Sequence, residues 1–399
     1  MRKTVTIGDL GTIITGKTPP TTNKNYYGDY AVFIKPTDIS EQSKFTYETE
    51  EMYSKLAAEK YETSMIPKGA ICVPCIGTIG TKMTMAHCDC YTNQSINSIV
   101  CNEDFDNEYV YYLIKNFLPG LKAYNLGTAS GREYVSKSNF EKIELEVELD
   151  KDIQKRIGLF LSRYDSIIEN YQKQIKLLEE SAQRLYKEWF VDLHFPRHEN
   201  TKIIDGVPEG WEMKKVKDFV ELQSGYAFKS STFEDGCPYK IVTIKNVKDG
   251  VFEGENVSTI RTVPEKMPNH CFLKDGDILL SLTGIVGRVC MVIGENYLLN
   301  QRVAKLKTDY PAYTYSLFRS HEMFITVCNL ANGAAQQNVS PIKIGDLDIV
   351  MANDEIMKKF EGGAGVYVDE INKHHRQIRL LTEARDRLLP KLMSGEIVI

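Results

Sequence analysis

The chain has 399 residues, and a long internal repeat constrains its fold more than any other sequence feature. Residues 7–10 (IGDL) are matched by residues 216–219 (VKDF) at an offset of 209, and residues 66–71 by residues 273–278 at an offset of 207. A repeat of about 200 residues is too long for a solenoid unit. The sequence therefore predicts two copies of one domain, each followed by a helical segment.

The repeated motifs keep the same order in both copies. Further matched segments are residues 33–39 and 241–247, 77–80 and 284–287, 93–95 and 300–302, and 134–136 and 338–340. Apolar runs at 70–76 and 277–282 precede Gly-x-x-Gly turns and predict buried strands. Residues 108–117 and 312–324 have the pattern of helices. We therefore predict an α+β protein with two globular domains in a tandem pseudo-repeat.

Each copy ends in a long segment with coiled-coil periodicity. The spacings alternate between three and four residues, which is an a/d seam. The seam positions of the first segment are Ile168, Tyr171, Ile175, Leu178, Ala182, Leu185 and Trp189. Those of the second are Ile371, His374, Ile378, Leu381, Arg385, Leu388 and Leu392. We expect two antiparallel helices, with Asp150 and Asn353 as N-caps and a stop at Gly395. An ordinary helical hairpin in a core is the alternative.

The composition shifts define five segments. The predicted boundaries are 1–149 for the first globular domain (domain 1), 150–192 for the first helical segment, 193–208 for a polar linker, 209–352 for the second globular domain (domain 2) and 353–399 for the second helical segment.

Two glycine-rich motifs resemble cofactor loops but lack the required context. Residues 11–18 (GTIITGKT) fit a phosphate-binding loop, yet Pro19-Pro20 prevents the helix that such a loop must open. Residues 360–365 (FEGGAG) resemble an S-adenosylmethionine loop, but a helical pattern precedes them instead of a strand. We therefore expect no nucleotide or methyl-donor site, and the glycines predict a weak or broken start of the second long helix.

Four cysteines of the first copy have zinc-site spacing. Cys72 and Cys75 precede Cys88 and Cys90 by roughly a zinc-ribbon interval. Two strand positions three residues apart face opposite sides, and the second copy has no cysteine at the matching places. We therefore expect free thiols and no metal, with a zinc-binding enzyme as the open alternative. His374 and His375 are expected to be solvated rather than ligating.

The charge balance argues against general phosphate binding. Net charge is −5, from 49 Lys+Arg and 54 Asp+Glu, and each helical segment carries eight residues of either sign. The excess of acidic residues therefore belongs to the globular parts and linker, so any nucleic-acid contact should be local. No apolar run approaches the length of a membrane span, and no signal peptide is evident. Nine cysteines in such a chain indicate a reducing cytoplasm.

Polar residues near the repeated turns have the chemistry for reading DNA. Arg and Lys suit guanine edges or phosphates, and Asn and Gln suit adenine edges. The candidates in the first copy are Lys17, Thr18, Lys24, Lys35, Thr37, Thr78, Lys82 and Arg132. Those in the second are Tyr226, Lys229, Lys245, Asn246, Thr283, Arg288, Gln336 and Gln337. The repeated pairs Asn93-Gln94 and Asn300-Gln301 are expected to bond local backbone instead.

Four segments carry a family resemblance. These are residues 10–19 (LGTIITGKTP), 189–196 (WFVDLHFP), 206–212 (GVPEGWE) and 388–397 (LLPKLMSGEI). Together with the duplicated turns, they make the whole chain resemble the specificity subunit of a Type I restriction–modification system. The first copy lacks the Pro-Glu-Gly-Trp opening, and the glycine run interrupts the second helix.

The resemblance implies a non-catalytic chain with two target-recognition domains. Each domain would read one half of a bipartite, asymmetric site in double-stranded DNA. The helices would set the spacing and dock two modification subunits through seam positions left over from their pairing. Adenine-N6 methylation with S-adenosylmethionine would belong to those subunits, and ATP- and Mg-dependent cleavage to restriction subunits if they join. A modification-only complex and a structural coiled-coil adaptor without DNA binding remain alternatives, and no membrane partner is implied.

Overall fold

The computed structural model describes residues 2–125, 127, 133–255, 257–331 and 337–399. Contacts group the chain into two compact units. Unit 1 is Met1–Asn170 with Leu380–Ile399, and unit 2 is Tyr171–Arg379. Each unit therefore holds one globular domain and a part of each long helix. The five-segment boundaries predicted above treat the helices as separate segments, and they stay a prediction.

Domain 1 is built from two four-stranded sheets and a strand pair. The first sheet is antiparallel, in the order Gly11–Thr15, Ile96–Cys101, Ile71–Pro74 and Thr84–Met85. The second has the order Tyr27–Gly28, Met52–Tyr53, Ala31–Ile34 and Tyr91–Thr92, with its last two strands parallel. The strand pair is Arg2–Thr6 with Glu144–Glu148. The helices are Ile7–Leu10, Lys55–Lys60, Asn107–Phe117 and Lys137–Glu141, with 3-10 turns at Lys24–Tyr26, Glu62–Ser64 and Leu118–Tyr124.

Domain 2 repeats this architecture. Its first sheet has the order Val220–Ser224, Val303–Thr308, Ile278–Ser281 and Val289–Met291. Its second sheet has the order Thr259–Ile260, Tyr239–Val242, Tyr297–Leu299 and Phe272–Leu273. The strand pair is Glu212–Lys215 with Asp348–Met351. The helices are Pro311–Arg319, His321–Leu330 and Pro341–Gly345, with 3-10 turns at Val216–Asp218, Ser230–Thr232 and Asn269–Cys271. The predicted repeat of an α+β domain is confirmed.

Two local predictions need correction. The pattern at 312–324 predicts one helix, but Ser320 ends the first helix with an extended backbone and caps the next one, accepting from the Met323 amide. The linker is also more ordered than its polarity suggests. It contains a 3-10 turn at His198–Asn200 and a hairpin of Ile203–Ile204 with Val207–Pro208.

The two long segments are helices, Lys151–Tyr186 and Asp354–Ser394, and a π-helical turn at Lys187–Val191 follows the first. Asp150 accepts hydrogen bonds from the amides of Asp152 and Ile153, and Asn353 accepts one from Ile356, so both predicted N-caps are confirmed. Gly395 has a φ of 76° and follows the last turn of the second helix, as predicted.

The helices run antiparallel within each unit. In unit 1, Asp165 pairs with Arg385. In unit 2, the Tyr171 and His374 rings lie 4.8 Å apart, and Leu185 lies beside Gly363. The predicted antiparallel pairing is thereby confirmed, because residue numbers rise along one helix as they fall along its neighbour.

The glycine run does not break the second long helix, contrary to the prediction. Residues 361–365 lie inside the helix, and Ala364 is fully buried. The reason is a contact that no local pattern reveals. The Glu361 carboxylate accepts hydrogen bonds from the backbone amides of Ala312 and Tyr313, at 3.0 and 2.7 Å. Glu361 thereby caps the domain-2 helix Pro311–Arg319, whose own N-cap supplies no side-chain bond.

The predicted seam positions lie at or near the packed side of the helices. Six of them are buried, namely Ile168, Ile175, Ala182, Ile371, Arg385 and Leu392. The others are partly buried, namely Tyr171, Leu178, Leu185, Trp189, His374, Ile378, Leu381 and Leu388. Their share in docking partners stays a prediction. His375 departs from the expected solvated state, because its Nε2 atom is buried without a hydrogen-bond partner and burial lowers its pKa to about 4.

Candidate nucleic-acid interface

In domain 1, backbone hydrogen bonds bring several loops to the ends of the sheet strands. The Lys17 amide donates to the Thr92 carbonyl at 2.9 Å, which joins the loop after the first strand to the Asn93-Gln94 turn. The Cys75 amide donates to Ser95, and the Gly77 amide donates to the Glu133 carbonyl at 3.0 Å. We call this surface, formed by residues 16–18, 35–38, 77–80, 93–95 and 133, loop face 1.

Domain 2 forms the same surface with different side chains. The Tyr226 amide donates to the Leu299 carbonyl at 2.9 Å, and the Leu282 amide donates to Arg302 at 3.0 Å. The Gly284 amide donates to the Gln337 carbonyl, as Gly77 does to Glu133. We call this surface, formed by residues 225–229, 243–246, 284–287, 300–302 and 337, loop face 2. Two loop faces with one backbone framework and different exposed side chains are therefore present.

A tight turn at the end of a sheet strand is repeated in detail. The Asp38 carboxylate accepts from the Lys35 amide at 2.8 Å, and the Asn246 side-chain carbonyl accepts from the Thr243 amide at 2.8 Å. Such side-chain-to-backbone bonds hold the residues between them at the tip of the turn. Thr37 and its counterpart Lys245 occupy that tip and are exposed.

Both loop faces require glycine at one close approach. A Cβ atom on Gly16 would lie 2.1 Å from the Thr92 carbonyl oxygen, and one on Gly225 would lie 2.3 Å from that of Asn300. No side chain fits at such distances without moving backbone. The glycine of the apparent phosphate-binding loop therefore serves strand packing, and residues Gly11–Thr15 form a strand rather than opening a helix.

The candidate residues divide by exposure. Exposed candidates are Lys17, Thr18, Lys24, Thr37, Thr78, Lys229, Lys245 and Gln337. Half-buried ones are Lys35, Lys82, Tyr226 and Arg288, and buried ones are Asn246 and Thr283. Arg132 and Gln336 lie outside the described residues. Their neighbours Glu133 and Gln337 accept hydrogen bonds from Gly77 and Gly284 of the Gly-x-x-Gly turns.

Besides Thr18, whose hydroxyl donates to the Gln94 side chain, four candidates are engaged inside their own domain. The Lys35 ammonium bonds Glu50 at 2.6 Å and Glu51 at 3.3 Å. Burial disfavours the charged form of Lys35, but the hydrogen bonds and charges of Glu50 and Glu51 favour it more strongly, so the pKa of Lys35 is raised. Lys82 donates to the Ile39 carbonyl at 3.2 Å. Asn246 also donates to the Glu253 carbonyl at 2.8 Å, and Thr283 donates to Asn338 at 3.0 Å. A base contact by any of the four would compete with these bonds.

The repeated asparagines bond local backbone as predicted, whereas the Gln94 side chain accepts from the Thr18 hydroxyl instead. The side-chain oxygen of Asn93 accepts from the Ser95 amide at 3.0 Å, and that of Asn300 accepts from the Arg302 amide at 3.4 Å. The turn also exposes Arg302, which the candidate set omitted. Its counterpart is Ser95, and this divergence inside a repeated turn was the available signal.

The cysteines of domain 1 do not form a metal cluster among the described residues. Cys72 lies in the strand Ile71–Pro74 and Cys75 directly follows it, and the two side chains belong to separate apolar clusters. Burial raises the pKa of each of these two thiols to about 12, so both are neutral at physiological pH. Within the described part of the chain, no helix combines the length and apolar character needed to cross a bilayer.

The chain is similar to a family of DNA specificity proteins. The sequence matches the family described as Type I restriction modification DNA specificity domain over residues 2–180 and 208–349. Because these segments cover most of the chain, the chain belongs to this family. The resemblance noted in the sequence is confirmed, and the zinc-enzyme alternative finds no support.

Particular relatives agree with this placement. The Type I restriction enzyme MjaIX specificity subunit of Methanocaldococcus jannaschii is 26% identical, over 98% of this chain and 92% of that protein. The MjaVIII specificity subunit of the same organism is 34% identical, over 74% of this chain and 71% of that protein. The crystal structure of the Type I restriction–modification S subunit from M. genitalium has a TM-score of 0.57 at 15% identity, covering 98% of this chain and 96% of that chain. That likeness concerns the fold alone.

Proposed function

We propose that each domain reads one half of a bipartite, asymmetric site in double-stranded DNA through its loop face. The observation that carries this proposal is the pair of loop faces with one framework and divergent tips. Thr37 corresponds to Lys245, Ser95 to Arg302, and Thr78 to Ile285. Because hydroxyl, cationic and apolar side chains recognise different base edges, such domains should select different half-sites.

The loop faces supply local rather than general DNA affinity. Lys17 and Lys24 in domain 1, and Lys229, Lys245 and Arg302 in domain 2, are exposed cations near the loops. The chain as a whole is acidic, with a net charge of −5. Since non-specific affinity depends on the number of neutralised phosphates, the isolated chain should bind DNA weakly. The modification subunits would supply the rest of the positive clamp.

Catalysis belongs to partner subunits in this proposal. The modification subunits would bind S-adenosylmethionine and methylate adenine, and restriction subunits, when they join, would bind ATP and Mg. This chain would hold no cofactor of its own, and a modification-only complex would use it in the same way. We place the complex in the cytoplasm, where it meets chromosomal DNA.

The long helices would set the half-site spacing and dock two modification subunits. Leu177 and Leu380 occupy matching positions at an offset of 203, and their side chains are 62% and 49% exposed. They lie in similar segments, residues 176–180 (KLLEE) and 379–383 (RLLTE). A repeated outward leucine, one in each unit, provides two equivalent apolar contact points. Two copies of the same partner would bury them in the same way.

The half-site proposal is tested by methylation-aware sequencing of the host genome with and without this gene. We expect deletion to remove adenine methylation at one gapped, asymmetric motif. Complementation with Arg302→Ala should relax selectivity in one half of that motif and leave the other half unchanged. Retention of every modified motif after deletion would contradict the proposal.

The docking proposal is tested by native mass spectrometry of the reconstituted complex. Leu177→Glu and Leu380→Glu should each remove one modification subunit, and the double variant should remove both. Ile342→Glu is the matched control, because Ile342 is 75% exposed but lies on a short helix of domain 2. Full occupancy in the double variant would exclude these leucines as docking points.

A further inference from the structure

Unit 1 contains a buried charge cluster that joins domain 1 to both long helices. Asp165 belongs to the first long helix, Arg385 to the second, and Tyr112 to the domain-1 helix Asn107–Phe117. The Tyr112 hydroxyl donates to one carboxylate oxygen of Asp165 at 2.5 Å, and the Arg385 guanidinium bonds the other. All three side chains are almost completely buried.

The electrostatics keep Asp165 charged despite its burial. Burial opposes ionisation, but the charges of Lys115 and Arg385 and the Tyr112 hydrogen bond outweigh it and hold the pKa of Asp165 below its ordinary value. A charged carboxylate that receives two directed hydrogen bonds from two elements is fixed in both position and rotation. The domain-1 helix is therefore held on the long helices at one point with defined geometry.

Unit 2 holds its domain helix in the same manner with other residues. Glu179 of the first long helix accepts from the Tyr315 hydroxyl at 2.9 Å and pairs with Arg319 at 2.9 Å. Tyr315 and Arg319 both belong to the helix Pro311–Arg319, the counterpart of Asn107–Phe117. In both units, a tyrosine hydroxyl on the domain helix meets a carboxylate on the first long helix.

Apolar packing alone would allow each domain helix a wider range of orientations on the long helices. A seam of leucine and isoleucine tolerates small rotations, because dispersion contacts are weak individually and non-directional. A hydrogen bond to a buried charge weakens steeply with angle and distance. We infer that Asp165 with Tyr112, and Glu179 with Tyr315, are positioning residues that restrict each recognition domain to one orientation and thereby set how strictly the half-site spacing is read.

This inference rests on the proposed function, and conservative variants separate the two. Tyr112→Phe and Tyr315→Phe remove only the hydroxyl that meets the long helix. Tyr109→Phe and Tyr297→Phe are matched controls, because those buried hydroxyls bond the Glu148 amide and the Gly254 carbonyl inside their own domains. Each variant is assembled with modification subunits and assayed on DNA libraries whose half-sites are separated by spacers of varied length.

The measured quantity is the ratio of methylation at sites whose spacer is one base pair longer or shorter to methylation at sites with the native spacer. We expect Tyr112→Phe and Tyr315→Phe each to raise this ratio roughly tenfold. This is the size of effect expected for one hydrogen bond to a charged group. Half-site sequences should stay the same, and the controls should retain the native spacer. Spacer selectivity in Tyr112→Phe and Tyr315→Phe equal to that of the controls, at similar melting temperature, would overturn the inference. Absence of any gapped motif in the wild-type complex would overturn the proposed function itself.

Discussion

The helices Asn107–Phe117 and Pro311–Arg319 occupy equivalent places in the two domains, and their N-terminal amides are capped by carboxylates from different parts of the chain. In domain 1, Asp106 accepts from the Tyr109 amide at 3.0 Å, so the cap comes from the helix's own segment. The facing position of the long helix is Gly158, where a Cβ atom would lie 2.7 Å from that of Glu108. In domain 2, the cap is Glu361, which occupies the position that matches Gly158. In both copies a carboxylate accepts hydrogen bonds from the first amides of the helix. In domain 1 that carboxylate precedes the helix in sequence, and in domain 2 it comes from the long helix.

The charge clusters differ in burial as well. Asp165 and Arg385 are both under 10% exposed, and the cation at the equivalent of Arg319 is Lys115. Burial lowers the pKa of Lys115 to about 8, although Asp165 opposes this shift. In unit 2, Arg319 keeps a second partner, Asp249, on an exposed loop. In unit 1, Arg385 likewise keeps a second partner, Asp386, on the exposed side of its helix. The units therefore differ in the burial of the first carboxylate, which is 8% exposed for Asp165 and 21% exposed for Glu179.

The largest expected effect tests this difference. Asp165→Leu should lower the free energy of unfolding by about 3–5 kcal/mol, because it removes the buried carboxylate that bonds both Arg385 and Tyr112 and leaves Arg385 only its half-exposed partner Asp386. Asp165→Leu combined with Arg385→Leu should recover more than half of that loss. Glu179→Leu should cost roughly 1–2 kcal/mol, since Glu179 is more exposed than Asp165 and Arg319 retains Asp249. Urea unfolding measures all three, and equal costs for Asp165→Leu and Glu179→Leu would remove the contrast between the units.

Acid sensitivity should come from His375, whose counterpart on the first long helix is Gln172. The folded chain binds the His375 proton only near pH 4, whereas the unfolded chain binds it near 6.5. The unfolded state therefore binds more protons between these values, and stability falls as pH drops from about 7 to 4. This group should contribute about 2–3 kcal/mol of that loss. In melting curves against pH, His375→Gln should flatten the profile in this window, and an unchanged profile would contradict the assignment.

The two helix caps, Asp106 in domain 1 and Glu361 in domain 2, should contribute similar free energies of stabilisation. Asp106→Ala and Glu361→Ala should each lower the free energy of unfolding by about 1 kcal/mol, because each leaves helix N-terminal amides without an acceptor. Glu355→Ala is the control, since Glu355 is exposed and its i,i+4 pair with Lys359 is worth a few tenths of a kcal/mol. Thermal unfolding distinguishes them, and a Glu361→Ala cost no larger than the control would refute its capping role.

The smallest expected effect compares two lysines near the duplicated turn. For DNA binding by the reconstituted complex, the logarithm of the binding constant falls linearly with the logarithm of the salt concentration. Lys245→Ala should reduce the magnitude of this slope by about one, as expected for one lost phosphate contact. Lys35→Ala should change it less, because Glu50 and Glu51 already neutralise Lys35. Titrations at several salt concentrations measure both slopes. A larger change in slope for Lys35→Ala than for Lys245→Ala would contradict this expectation, and it would mean that Lys35 leaves Glu50 and Glu51 to contact DNA.

Much of the architecture is predictable from local pattern. The repeat offsets, the long helices and the caps Asp150 and Asn353 depend on residues close together in sequence, and backbone geometry translates them directly into structure. The candidate interface is only partly predictable. Arg302 was not among the candidates because its exposure depends on a turn that bonds strands 20 or more residues away. The ion pairs of Lys35 could not be predicted because Glu50 returns to it from another loop.

By itself, the sequence determined that this protein is one domain-plus-helix unit used twice, because repeated motifs and periodic apolar residues act over short ranges. Only the tertiary structure decided how each domain is held. Asp165 and Arg385 are 220 residues apart, and Glu361 reaches a helix 49 residues before it. Such bonds depend on distance and angle between elements, and no local pattern encodes which acceptor will face which donor once the helices have packed.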